Sequence, residues 1–138
     1  MQSHSQTSAE YVPYVFQIMA QMLELHTGPT PEQYRILLPY LVQVSSWQQK
    51  GSIPGLVRLI KAFLKHDSEQ LVKNNQIVPI LGVIQQKLIP SKLNDAWGFE
   101  LLQALLTYIP PYACLSVWSC FLLTYFFAVL RCSDTCRV

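Results

Sequence analysis

Charge is scarce in this 138-residue chain: 13% of its residues are Asp, Glu, Lys or Arg, and together they leave a formal +2. So weak a field does not hold a phosphate backbone, which excludes nucleic acid as an expected partner. Cysteine is confined to Cys114, Cys120, Cys132 and Cys136, so no disulfide framework can staple what comes before. The Ser- and Gln-rich opening, Met1 to Glu10, lacks the basic-then-apolar order of a secretory signal, and free thiols in a reducing compartment are expected. Also missing are a G-x-G-x-x-G run, a P-loop and an H-E-x-x-H pair. With no convergent set of titratable groups, catalysis has no candidate site, and neither an enzyme nor a cofactor is expected. Apolar residues, by contrast, are plentiful at 51%, which excludes a disordered chain and supplies one core, though not two.

Those apolar residues repeat. Val15-Phe16-Gln17-Ile18-Met19-Ala20-Gln21-Met22-Leu23 aligns without gaps with Leu56-Val57-Arg58-Leu59-Ile60-Lys61-Ala62-Phe63-Leu64 at a shift of 41. Phe99-Glu100-Leu101-Leu102-Gln103-Ala104-Leu105-Leu106 follows the second at a shift of 42. Apolar positions fall at i, i+3, i+4 and i+7, the period of a helix. Between them Leu37-Leu38-Pro39-Tyr40-Leu41 recurs as Ile77-Val78-Pro79-Ile80-Leu81 at a shift of 40, so each period holds an A helix and then a B helix. A proline at the same place in each B helix predicts a shared kink, or the start of a new short helix. Helix starts are marked by Thr30-Pro31-Glu32-Gln33 as a cap, first-turn proline and capping-box set, by Ser52 and Asn94 before the later A helices, and by Asp67 with Gln70.

A period of 40 to 42 holding two helices is that of HEAT-type repeats, whose faces are buried only by stacking. The expected fold is all-α: a HEAT-repeat α-solenoid fragment of about three helix pairs, with an atypical, apolar last helix. Function then lies in a surface. In the first B helix the apolar stripe is Tyr34, Leu37, Leu38, Leu41 and Val44, opposed by Glu32, Arg35, Pro39, Gln43 and Ser46; in the second it is Ile77, Leu81, Ile84 and Leu88, opposed by Asn75, Pro79 and Gln86 with Lys87 beside them. If B helices line the concave side, the partner-binding candidates are Arg35, Gln43, Asn75, Gln86 and Lys87.

Other residues have plainer readings. His26 and His66 are placed at the ends of A helices, where an imidazole caps terminal carbonyls, and His4 has no role. Arg58, Lys61 and Lys65 form a basic edge on the second A helix, a solvated face or else a contact for an acidic partner. Trp47 and Trp97 are expected to close the core between repeats. Cys132 and Cys136 have a loose metal-like spacing, but no histidine is near to complete a zinc set, and no metal is expected. Next to a membrane segment the same two thiols would suit palmitoylation.

Composition changes at Pro110-Pro111. Residues 101 to 130 contain no charged side chain, and 16 of the 19 positions from Tyr112 to Leu130 are apolar, a length and character that fit a membrane span as well as a buried helix. Three segments result: a disordered polar leader at 1–10, the repeats at 11–111, and an apolar, Cys-containing tail at 112–138. The alternative to a binding scaffold is a tail-anchored membrane protein with a cytosolic helical-repeat head.

Several strings carry a resemblance. Tyr14-Val15-Phe16-Gln17, Ile53-Pro54-Gly55-Leu56-Val57-Arg58-Leu59, Leu81-Gly82-Val83, Gln86-Lys87-Leu88-Ile89 and Asn94-Asp95 with Gly98-Phe99 resemble the C-terminal part of a nuclear export receptor of the importin-beta-type karyopherin family. The resemblance runs from about Tyr11 to Pro111 and leaves out the tail. It implies a Ran-GTP-dependent receptor of nucleus and cytoplasm, a long superhelix that wraps importin-alpha and Ran together and returns importin-alpha to the cytoplasm. The family's N-terminal region, which provides the principal Ran contacts, has no counterpart here.

Overall fold

The three segments aligned by shifts of 41 and 42 lie on three helices of the computed structural model: α1 (Ser3–Leu25), α3 (Ile53–Lys73) and α5 (Asp95–Tyr108). The structure describes residues 3–110 and, beyond them, Tyr112, Ala113, Ser119 and Leu122, with side chains from Glu10 onward. Expectations for the four cysteines, and for 112–130 as a helix or span, fall outside the described residues apart from those four positions. Between the A helices run the B helices α2 (Glu32–Leu41) and α4 (Ile77–Val83), the latter continued by a π turn over Ile84–Leu88. There is no strand among the described residues.

α3 packs against α1 on one side and α5 on the other, while α1 and α5 form no packed pair. That side-by-side order is an α-solenoid, not a closed bundle. It explains the composition of α3, which buries Leu56, Val57, Leu59, Ile60, Phe63 and Leu64 around more than one face, as a helix with neighbours on two sides must. α2 reaches the same helix through Tyr34, whose ring stands edge-on to Phe63 at 6.1 Å between centroids. The second B stripe is buried as expected at Ile77, Leu81, Ile84 and Leu88. The first is buried only at Leu38 and Leu41, leaving Leu37 36% and Val44 39% exposed. Trp47 closes the end of that layer, buried with its indole N–H donated to the Leu41 carbonyl at 2.8 Å.

Where sequence signals competed, the backbone decided. α1 begins at Ser3, inside the segment 1–10 whose composition suggested a leader; no Pro or Gly interrupts residues 3 to 12, and Ser, Gln, Ala and Glu all tolerate a helix. None of the proposed hydroxyl caps forms. The cap position of α2 is Pro31, one residue after Thr30, and Thr30 Oγ1 is buried without a hydrogen-bond partner. Ser52 does precede α3, but its hydroxyl joins the Gln49 side chain; Asn94 does precede α5, but its amide joins Ser91. The two prolines do not share a kink: Pro39 lies in the last turn of α2 and Pro79 in the first turn of α4, where its missing N–H has no intrahelical partner to lose. His66 closes the first of two helical stretches that meet within α3: Asp67, at φ −138° and ψ 28°, is non-helical and marks a kink, beyond which the helix resumes to Lys73, and His66 Nε2 is buried with no partner. His26 does follow the last residue of α1, with its ring exposed.

Candidate functional surface

Asp67 breaks the helical geometry of α3, and Arg35 on α2 holds it there. The guanidinium donates from Nε to Oδ2 at 3.0 Å and from Nη2 to Oδ1 at 3.4 Å, the two-pronged match that a planar fork makes with a carboxylate. Arg35 is thus an internal tie between helices as well as a surface group, its side chain 40% exposed against 11% for Asp67. The pair borders a notch lined by Arg35, Leu38, Phe63, Asp67, Asn74 and Gln76, among others, with a volume near 60 Å³. A space that size holds water and excludes a drug-sized ligand. Asn75 sits between two of its lining residues at φ 54°, a left-handed conformation that asparagine tolerates in a tight reversal.

Arg35 and the Asn75 turn therefore share one edge. Gln43 is exposed in the turn after α2, and Gln86 and Lys87 lie on the π turn, Gln86 exposed and Lys87 half-buried. No side-chain hydrogen bond among the described residues joins those three to the notch. The five candidates thus comprise Arg35 and Asn75 at one edge and three outlying residues, Gln43 after α2 and Gln86 with Lys87 on the π turn, a broad polar surface with no converging centre. No cluster of His, Cys, Asp and Glu suited to a metal occurs among the described residues, and no helix among them is long and apolar enough to cross a membrane.

The basic edge of α3 finds its acidic partners inside the chain. Arg58 donates from Nε to Glu24 Oε1 at 2.9 Å, from Nη2 to Glu24 Oε2 at 2.7 Å, and from Nη1 to the Gln17 side chain at 3.3 Å, bridging to α1. Lys61 pairs with Glu100 on α5. Lys65 is exposed and makes no salt bridge among the described residues, acting on Glu24 only through its field. The signal for this ladder was present in the spacing: with A helices repeating every 41 or 42 residues, separations of 34 and 39 leave a remainder of about two turns and one turn. Residues offset by whole turns share a helix face, so the spacing brings Glu24 to Arg58 and Glu100 to Lys61.

The hydrogen bonds from Arg58 hold the Glu24 carboxyl below its ordinary range, against the smaller opposing push of burial and with help from Lys65 and Lys61. A carboxyl with a depressed folded pKa stabilises above its unfolded pKa and loses that contribution as pH falls through the folded value. Both side chains are more than a third exposed, at 41% and 35%, so screening keeps the effect small. Glu24→Gln is expected to cost about 0.2–1 kcal/mol at pH 7 and nothing at about pH 2. Urea midpoints of both proteins at the two pH values check it; a gap that persists in acid would mean that packing, not charge, had been lost.

Comparison with known proteins adds to this geometry. The family model described as CAS/CSE protein, C-terminus, matches residues 4–136, reaching into both segments outside the quoted strings. Exportin-2 of Homo sapiens is 44% identical over 104 residues, 74% of this chain and 11% of that protein. Exportin-2 of Drosophila melanogaster is 44% identical over 108 residues, 77% of this chain and 11% of that one. Among solved structures, the exportin Cse1 in its cargo-free, cytoplasmic state matches with a TM-score of 0.69 and 36% identity, over 78% of this chain and 11% of the other. The chain spans about a tenth of the length of these curated relatives.

Proposed function

The chain belongs to the CAS/CSE family, matching its C-terminal region, and from that premise we propose that it is a protein-binding segment of a nuclear export receptor. In this reading the whole receptor carries importin-alpha from nucleus to cytoplasm together with Ran-GTP, and the 138-residue chain supplies one stretch of the scaffold. The observation that carries the reading is the likeness to the exportin Cse1, at 36% identity and a TM-score of 0.69 over most of the chain. A solenoid suits the task because its function resides in an extended surface built from repeated helix pairs.

The polar surface of Arg35, Gln43, Asn75, Gln86 and Lys87 is the proposed contact. The test uses a full-length receptor carrying this segment and measures capture of importin-alpha with GTP-loaded Ran. Lys87→Glu is expected to weaken capture about three- to tenfold at low salt, with the loss shrinking as salt rises. Arg35 needs a paired design, because charge reversal would also release Asp67: Arg35→Lys keeps the charge and loses the fork, whereas Arg35→Gln loses both. Unchanged capture by all three variants removes these residues from the surface. Failure of the unaltered receptor to capture importin-alpha removes the function.

The competing reading, a tail-anchored protein, rests on the uncharged, 16-in-19 apolar composition of 112–130. Carbonate extraction separates the two. A chain released into the supernatant supports the scaffold, and one that stays with the membrane pellet supports the anchor.

A further inference from the structure

α3 bends where its own sequence gives no reason to bend. Sharp kinks ordinarily come from proline, from pairs of glycine or serine, or from a side chain or water let into the helical ladder. Residues 56 to 73 hold no proline, no glycine and a lone serine, Ser68, yet Asp67 stands at φ −138° and ψ 28° with helix on both sides. It is the same residue whose carboxylate takes both prongs of Arg35 from α2. Little else within α3 ties the far side of the bend: of the ten buried residues of this helix, nine precede Asp67, and Leu71 alone follows it.

What comes after the bend is stiff. The Asn75 N–H donates to the Val72 carbonyl at 3.1 Å and the Gln76 N–H to the Leu71 carbonyl at 2.9 Å, the paired bonds of a Schellman close, and the Asn74 N–H donates to the Gln70 carbonyl at 2.9 Å. Asn75, at φ 54°, is the left-handed residue that such a close requires. With α4 beginning at Ile77, the far half of α3, the reversal and α4 are joined without a slack residue. Rotation at Asp67 is therefore passed on to α4 and to the π turn that continues it, which bears Gln86 and Lys87.

We propose that Asp67 is a joint latched by Arg35. With the fork closed, α3 is bent; with it open, residue 67 takes helical geometry, α3 runs through, and residues 68 to 88 shift together against the near half of α3. Beside the joint, His66 Nε2 is buried without a partner in the bent form, a cost that the fork must outweigh. Arg35 is the half of the latch open to solvent, its side chain 40% exposed against 11% for Asp67, so whatever engages Arg35 also works the joint. The device couples Arg35 to Gln86 and Lys87, members of the proposed contact surface that no side-chain hydrogen bond joins among the described residues. In that use it rests on the proposed function, whereas the joint itself does not.

The joint is read by nuclear magnetic resonance in the 138-residue chain. In the parent, the three-bond coupling between the amide and α protons of residue 67 is expected to be large, as φ −138° requires. Arg35→Gln and Asp67→Ala each remove the fork, the second while leaving the Arg35 charge in place and favouring helix. In both, the coupling is expected to fall about twofold, to the value for a helical φ near −63°, and the amide resonances of residues 76 to 88 to move with it. Neither side chain belongs to the buried apolar core, and dispersed spectra check that each variant folds; one folded variant suffices to decide. A small coupling in the parent overturns the proposal, as does a coupling unchanged by loss of the fork, which would mean that the packing of α4 sets the bend. A fall in only one of two folded variants overturns it, because both lack the same bond, and a fall with the 76 to 88 resonances unmoved does so because nothing was passed on. None of these readouts involves importin-alpha, so this inference and the proposed function fail separately.

Discussion

Truncating Phe63 to alanine is expected to destabilise the chain by about 3–5 kcal/mol, the range for emptying a well-packed aromatic site. Phe63 is 1% exposed and lies on α3, the helix that both other A helices share. Its ring also receives Tyr34 of α2 edge-on, and the Tyr34 hydroxyl donates to the Met19 carbonyl of α1 at 3.3 Å. One side chain therefore sits where three helices are tied, and the void cannot collapse without moving two of them. Whole domains are stable by only about 5–15 kcal/mol, so the loss removes between about a fifth and all of that margin. Phe63→Leu retains most of the volume and should cost about a third as much. Urea unfolding gives the measurement: the midpoint should fall with the slope unchanged, while Val78→Ala, at a site 61% exposed, should stay within about 0.5 kcal/mol of the parent.

Phe63 was legible as core before any coordinates, because the 41-residue shift fixed its helix face and the same shift aligned α1, α3 and α5. Periodic burial is a sum over many residues and survives local error. Capping is different, since it depends on the rotamer of a single polar side chain that also has neighbours to bond, and Ser52 and Asn94 donate to the side chains of Gln49 and Ser91 while making no cap hydrogen bond. The proline motif misled for a related reason: equal spacing of Pro39 and Pro79 says nothing about helix boundaries, and the prolines fall seven residues after the start of α2 at Glu32 in one case and two after the start of α4 at Ile77 in the other. Arg35 was picked from its face, but its partner was not, because Asp67 lies 32 residues away at an irregular point in α3. The basic edge of Arg58 and Lys61 looked free for a partner because charge on a helix face is read one helix at a time, whereas Glu24 and Glu100 arrive from the neighbours.

The approach of α1 to α3 gives the second large effect, and its sign depends on space alone. A Cβ placed on Gly55 would lie 2.9 Å from the Phe16 Cβ and 3.2 Å from the Pro13 carbonyl oxygen, neither of which is the free end of a flexible side chain. Glycine in a helix ordinarily costs about 1 kcal/mol relative to alanine, so this residue is retained against its own propensity. Gly55→Val is expected to lose about 3 kcal/mol, the upper end for overpacking a tight core, because α1 must move off α3 and lengthen the Arg58–Glu24 bonds as it goes. Gly82 on α4 supplies the opposite case: nothing lies within 4 Å of its added Cβ. Gly82→Ala should raise stability by about 0.4–1 kcal/mol through the lost freedom of the unfolded chain. Thermal or urea unfolding of the two variants side by side tests the argument. Equal losses at both sites would mean that propensity and packing had been misjudged together, whereas opposite signs would locate the helix crossing at Gly55.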